Sequence, residues 1–191
     1  PDETGLAHCV PPLDTLNSKY LYHGGMRNAS DSIAEVLREW AEVRPDLDVS
    51  PVGVLARMAR IRAIVEVEQA KVFASAGITP ADFPVLVTLR RRQEPVTHTQ
   101  LSEALGLTPG TVSVRVDRLV ALGLAVRDAD PSDARVRWVR LTAEGSRLID
   151  DLIPQHLAVE EQLLAGLRRK DRQRLAADLS VLLADLEARY T

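Results

Sequence analysis

Residues 108–122, TPGTVSVRVDRLVAL, combine small polar side chains with long cationic donors at helical spacing. A helix advances about 100° per residue. Val112, Val116, Leu119 and Val120 then share one side and form a candidate core face. Gly110, Thr111, Val114, Asp117, Arg118 and Ala121 point away from it, with Ser113 and Arg115 on the flanks. Thr108, Gly110, Thr111 and Ser113 are short enough to let a helix approach base edges. Arginine donates in a fork that suits guanine or a phosphate. An ordinary solvated helix shows the same alternation, so the neighbouring elements must decide between the two.

Other candidates for chemistry are sparse. His8, His23, His98 and His156 have no metal-ligand spacing. The one cysteine, Cys9, excludes a disulfide framework and a cysteine-based zinc site within one chain. There is no nucleophile–base set and no phosphate-binding glycine loop, so the expectation is no enzyme and no cofactor.

The elements around 108–122 favour the reading helix. A short helix at 99–105 precedes it, joined by a tight turn at Gly106-Leu107. Gly123 ends it, and two strands follow at 124–127 and 136–141, with a polar loop between them that contains Pro131. Two helices, a tight turn and a two- or three-stranded wing make a winged helix-turn-helix. Upstream, Ser30 or Asp31 can cap a helix with the stripe Ile33, Val36, Leu37 and Trp40. Pro45 and Pro51 bracket a linker. A long helix runs from about Pro51 to Ala76, with a heptad-like seam at Val54, Met58, Ile61, Val65 and Val72. Thr79-Pro80 starts the next helix, with Thr79 as cap and Pro80 first in the helix. Thr142 caps a long helix with Ile149, Leu152, His156, Val159 and Leu163 on one stripe, which Pro154 should kink or divide. The last helix, 169–190, carries Leu175, Leu179, Leu182 and Leu186.

The fold expected is therefore mainly α with a small β-wing. Residues 1–30 form a loose arm, 31–44 an extra helix, 79–141 the winged helix-turn-helix, and 51–78 with 142–191 a helical dimerisation region. The apolar seams on three long helices are too many for a chain of 191 residues to bury internally, which predicts a homodimer. Nothing resembles a signal peptide and no apolar run approaches the roughly 18 residues of a membrane span, so a cytoplasmic protein with no membrane partner is expected. Net charge is −3, yet 90–147 hold ten arginines against seven acidic residues, a basic section on an acidic body.

The stretch 101–145, LSEALGLTPGTVSVRVDRLVALGLAVRDADPSDARVRWVRLTAEG, resembles the signature region of the MarR family (multiple antibiotic resistance regulators). Asp133-x-Arg135 followed by Leu141-Thr142-x-x-Gly145 is the most telling part; Arg118-Leu119, Gly123-Leu124 and Arg127 add to it. The likeness runs from Val52 to the C terminus. It implies a sequence-specific regulator of double-stranded DNA, a repressor released from an inverted-repeat operator by a small-molecule effector. The DNA-binding set implied is Thr108, Gly110, Thr111, Ser113, Val114, Arg115, Arg118, Arg135 and Arg137. Arg135 matches the wing arginine that enters the minor groove. Asp133 and Arg127 support the wing, Asp133 through an arginine such as Arg118. Some members sense peroxide through a cysteine near the dimer junction; Cys9 lies outside the matched region.

The extra helix with Trp40, the linker at 46–51 and the segment 152–157 are similar in layout to the urate-responsive subgroup. That subgroup holds its anion with a tryptophan, an aspartate and two arginines. Trp40 and Arg115 or Arg118 match by position. The aspartate falls at Pro84 and one arginine near Thr97 or His98, so half the set is missing and a weak or absent urate response is implied. The effector junction would be lined by Trp40, Arg57, Arg62, Phe83, Pro84 and His156, which suits a small anionic aromatic molecule. Trp40 serves equally well as a packing residue on an amphipathic helix.

Overall fold

A computed structural model describes residues 30–130, 132–133 and 136–190. The arm at 1–29, with Cys9, and the wing residue Arg135 lie outside the described residues. The chain divides into two compact units, Pro1–Ala56 and Arg57–Thr191.

In the first unit, Asp31 is the cap of helix α1 (Ser32–Val43), accepting the backbone N–H groups of Ile33 and Ala34 at 2.9 Å each. Two of the donors left open at a helix start are thereby satisfied. Ile33, Val36 and Leu37 are half-buried, and Trp40 on the last turn is 45% exposed. Helix α2 (Ser50–Ser75) begins in this unit and continues into the second.

Within the second unit, α2 stops at a glycine. Gly77 has φ of 71°, a left-handed turn that glycine enters without a Cβ clash. It lets Gly77 N–H reach the Ala74 carbonyl and Ile78 N–H the Phe73 carbonyl, each at 3.1 Å, the paired bonds that close many helices. The next helix does not begin at Thr79-Pro80. Thr79 gives both its N–H and its hydroxyl to the Asp82 carboxylate, at 2.8 and 2.7 Å. The Thr79 hydroxyl accepts no helix N–H, the Thr79 carbonyl takes Asp82 N–H at 3.0 Å, and 79–82 form a turn. Helix α3 (Phe83–Arg92) starts after Asp82, with Pro84 in its first turn.

Strand β1 (Val96–Thr97), helix α4 (His98–Leu105), helix α5 (Pro109–Ala121), and strands β2 (Ala125–Ala129) and β3 (Arg137–Leu141) complete the winged helix. Thr97 and Gln100 cap α4 reciprocally, each side chain accepting the other's backbone N–H. Thr108 caps α5, taking Thr111 N–H at 3.3 Å. The sheet is antiparallel in the order β1-β3-β2, with Val96 opposite Val139 and Asp128 opposite Trp138. Strand β1 is the optional third strand; at two residues it has no periodicity of its own.

One core joins α3, α4, α5, the sheet and the next helix, through Leu86, Leu89, Leu101, Val112, Val116, Leu119, Val139, Ile149 and Leu152. Val120, placed in the core face from spacing, is instead 38% exposed. It stands about 80° round from Val112, and the buried stripe is narrower than that.

Helix α6 (Ala143–Leu163) runs unbroken through Pro154, which does not divide it. One backbone donor is lost there, while Gln155 Nε2 donates to the Asp151 carbonyl at 3.0 Å in the same turn. Helix α7 (Arg169–Tyr190) buries no residue, and α2 leaves Ile61, Ile64 and Val67 exposed.

The start of α6 is seated on the end of α5. Leu124 accepts Thr142 N–H at 3.1 Å, and Thr142 Oγ1 donates to the Gly123 carbonyl at 2.7 Å while accepting Gly145 N–H at 2.9 Å. A Cβ on Gly145 would run into the Leu124 carbonyl oxygen. Gly145→Ala is therefore expected to cost about 3 kcal/mol, because backbone on both sides must move. The measurement is the urea midpoint at fixed protomer concentration. A midpoint equal to the parent's would show that α6 is not seated on Leu124.

Candidate nucleic-acid interface

The core stripe of α5 decides which side chains face out. Gly110, Thr111, Val114, Asp117, Arg118 and Ala121 are exposed, and Ser113 and Arg115 are half-buried on the flanks. Thr108 and Thr111 hydroxyls lie 2.9 Å apart across the first turn. This is an N-terminal half of small hydroxyl and glycine residues followed by guanidinium groups, a surface that fits a groove of double-stranded DNA. Arg137 is exposed on β3.

Two consecutive residues hold α5 to different elements. Arg118 Nε donates to Asp82 Oδ2 at 3.0 Å. Asp117 forms an ion pair with Arg127 of β2. The expected pairing of Arg118 with Asp133 is not the one formed. Neighbours on a helix stand about 100° apart, so with Asp117 turned to the wing strand, Arg118 faces α3. Burial pushes the Asp82 carboxyl up, but the hydroxyl and N–H of Thr79 and the Arg118 guanidinium outweigh it and hold the group below the usual carboxylate range.

The wing turn is braced by Asp130. Its carboxylate accepts from the Ser132 hydroxyl and N–H, from Asp133 N–H at 3.1 Å, and from Trp138 Nε1 at 2.8 Å. The Ser132 hydroxyl, the Trp138 indole and the Ser132 N–H hold this carboxyl far below its ordinary range. Asp133 itself lies exposed, and its carbonyl accepts Val136 N–H at 2.9 Å. His98, first in α4, is half-buried; its Nε2 and the Nε of Arg127 are both buried without a hydrogen-bond partner.

The effector residues are placed in part. Phe83 and His156 meet with ring centroids 4.5 Å apart, and Phe73, which the sequence reading passed over, stacks on Phe83 at 4.6 Å. Pro84 adjoins Phe83 and is half-buried. His156 Nε2 is 3.1 Å from Glu160, which also accepts from Gln69, and His156 Nδ1 is buried without a partner. Arg62 is exposed and pairs with Glu66 at 2.7 Å; Arg57 is half-buried on α2; Trp40 lies in the first unit. Among the described residues, no group of three or more His, Cys, Asp or Glu could hold a metal ion, and no helix is long and apolar enough to cross a membrane.

Sequence reasoning missed Asp82, Asp130 and Trp138. Asp130-x-Ser132 carried a local signal, since aspartate two residues before a hydroxyl often closes a turn. Thr79-x-x-Asp82 carried a local signal too, but the pairing of Asp82 with Arg118 did not, because that partner is 36 positions away.

Comparison with known proteins places this geometry among regulators. A family model described as MarR family matches residues 76–136. The HTH-type transcriptional regulator PecS of Dickeya dadantii (strain 3937) is 30% identical over 147 residues, 76% of this chain and 89% of that protein. The crystal structure of the S. aureus MepR–DNA complex is similar in fold, with TM-score 0.65 and 23% identity over 70% of this chain and 98% of that one. Bordetella bronchiseptica BpsR, whose DNA binding is regulated by 6-hydroxynicotinic acid, has TM-score 0.60 and 25% identity, covering 69% of this chain and 98% of its own.

His98 is expected to make the stability of the winged helix depend on pH. Burial first, and the Arg127 charge second, hold its pKa below 6.5. The unfolded chain therefore binds the proton more readily, and stability present above about pH 6.5 is lost as pH falls toward the folded value. The melting temperature of the parent should fall between about pH 7.5 and pH 5.5, and His98→Gln should remove part of that fall. Equal pH slopes in parent and variant would refute it.

Proposed function

The chain belongs to the MarR family of DNA-binding transcriptional regulators, and on that basis we propose that it is a homodimeric repressor of an inverted-repeat operator, released by a small anionic aromatic ligand. The observation that carries the reading is the outward face of α5, where Thr108, Gly110, Thr111, Ser113 and Arg115 leave a groove-sized surface of donors and acceptors. Exposed apolar residues on α2 and α7 support the dimer, since such stripes are covered in helical assemblies. A two-fold dimer presents two copies of α5 about one helical turn apart, and hence selects an inverted repeat. Arg135 and Arg137 extend the contact from the wing to the backbone and minor groove.

Half-buried Phe83 and His156, backed by buried Phe73, support an aromatic ligand as an apolar lining, with His156 Nδ1 as an unused polar atom. The similar BpsR responds to an aromatic acid. A ligand that prefers the DNA-incompetent dimer lowers DNA affinity by the factor by which DNA lowers its own.

Binding to labelled duplex from upstream of the chain's own reading frame, against random duplex, tests the DNA reading. Arg135→Ala should weaken both and reduce the salt slope by about one. Ser113→Ala or Arg115→Ala should instead cut discrimination, by about 1–3 kcal/mol for a bidentate base contact. Equal losses on both duplexes for Arg115→Ala would remove its base-reading role.

Titration of the DNA complex with a panel of aromatic acids, 6-hydroxynicotinate and urate included, tests the release. At least one acid should free the duplex, urate should do so weakly or not at all, and His156→Ala should raise the concentration required. No release by any acid in the panel, or a response unchanged in His156→Ala, would move the effector site away from the aromatic cluster.

A further inference from the structure

Asp82 is 1% exposed, yet it does none of the work expected of an acid at a helix start. It stands at the cap of α3 without accepting a bond from that helix's N–H groups. Its Oδ2 faces the other way and collects three donors, Thr79 N–H at 2.8 Å, Thr79 Oγ1 at 2.7 Å and Arg118 Nε at 3.0 Å. Its Oδ1 is buried with no partner. Burying a carboxylate in this way is costly, and an ion pair so placed is weak evidence for stability; fixing one arrangement is its better-attested use. The two elements it fixes are the exit of α2, through Thr79, and α5, through Arg118. Arg118 keeps 48% of its side chain exposed while its Nε edge is engaged inward.

We propose that Asp82 is a positioning residue for DNA binding, tying the exit of α2 to α5 and holding the Nε edge of Arg118 so that its terminal nitrogens are presented to a DNA phosphate. This rests on the reading of α5 as the helix that meets DNA. A guanidinium suits the task because it is planar and can serve a carboxylate and a phosphate from two edges at once. Asp82 touches no DNA itself; its effect passes through Arg118.

The proposal makes a prediction opposite to simple electrostatics. Removing an acidic residue beside a DNA-binding face ordinarily tightens binding, because repulsion from phosphates is relieved. Asp82→Asn should instead weaken binding of the full chain to the upstream duplex by about tenfold, the weight of one charge-assisted hydrogen bond. In an Arg118→Gln background the same change should cost less than about twofold, and each single variant should lower the salt slope by up to about one. Tighter or unchanged binding by Asp82→Asn overturns the proposal. So does an equal loss in both backgrounds, which would mean that Asp82 acts only through the fold. If Asp82→Asn does not fold, Arg118→Lys decides, since a single ammonium cannot serve carboxylate and phosphate together. A loss matching Arg118→Gln supports the proposal, and near-parental affinity overturns it. Arg115→Ala, run in parallel, separates the two levels: normal binding and discrimination in both Arg115→Ala and Arg118→Gln overturn the α5 reading as well.

Discussion

Burial of Val112, Val116 and Leu119 fixes the rotation of α5, and that rotation decides which side chains can meet a groove. The stripe is narrow. It leaves Val120 outside, turns Gly110 and Thr111 toward solvent and keeps Ser113 and Arg115 on the flanks. Apolar burial has no direction of its own, so the angular precision comes from polar groups at the far end of the same helix. Asp117 and Arg118 are adjacent and oppositely charged, and they hold α5 from two sides, to β2 and to the turn before α3. An exposed ion pair contributes little to stability. The Arg118 pair differs because its carboxylate is buried, and loss of Arg118 leaves that charge with only the neutral donors of Thr79.

The wing and the helix pair are joined through the same few backbone groups. Gly123 lets the chain reverse at the end of α5, Leu124 then offers its carbonyl to Thr142, and Gly145 lets α6 sit against that carbonyl. The path from α5 to α6 therefore contains no long side chain that could yield. The start of α6 meets the residues after α5 backbone against backbone. At the wing, the Asp130 carboxylate adds four bonds across the turn to the backbone bond that its own N–H makes with the Val136 carbonyl.

Among the described residues, the buried side-chain polar atoms without partners fall in three places: Asp82 Oδ1 behind Arg118, His98 Nε2 of α4 with Arg127 Nε of β2, and His156 Nδ1 in the aromatic cluster. Buried polar groups are paired in nearly all folded structures, so each exception calls for a reason. All three lie where an element meets α5, β2 or α6, and the interior of the core has none among the described residues.

Most of the winged helix was legible in the chain because its signals are local. Thr108-Pro109 before a 3.6-residue pattern, Gly77, Gly106 and Gly123 after one, and the bounds of α7 all depend on residues within a turn of one another. The outward residues of α5 followed from angular arithmetic alone. The signature Leu141-Thr142-x-x-Gly145 was legible as a resemblance, but its cause was not: Gly145 is required by the carbonyl of Leu124, on another element. Thr79-Pro80 misled because a hydroxyl before proline looks like a cap, whereas here the hydroxyl donates to Asp82. Strand β1 exists only by pairing with β3 some 40 residues later. The partners of Asp117 and Arg118, and the meeting of Phe73 with Phe83 and His156, were likewise decided by tertiary structure. Sequence by itself determined the periods and stops of the helices, since those depend on neighbours along the chain. Which charge meets which, and which polar atom is left unpaired, depends on how those helices are rotated against one another, and only packing of the core sets that.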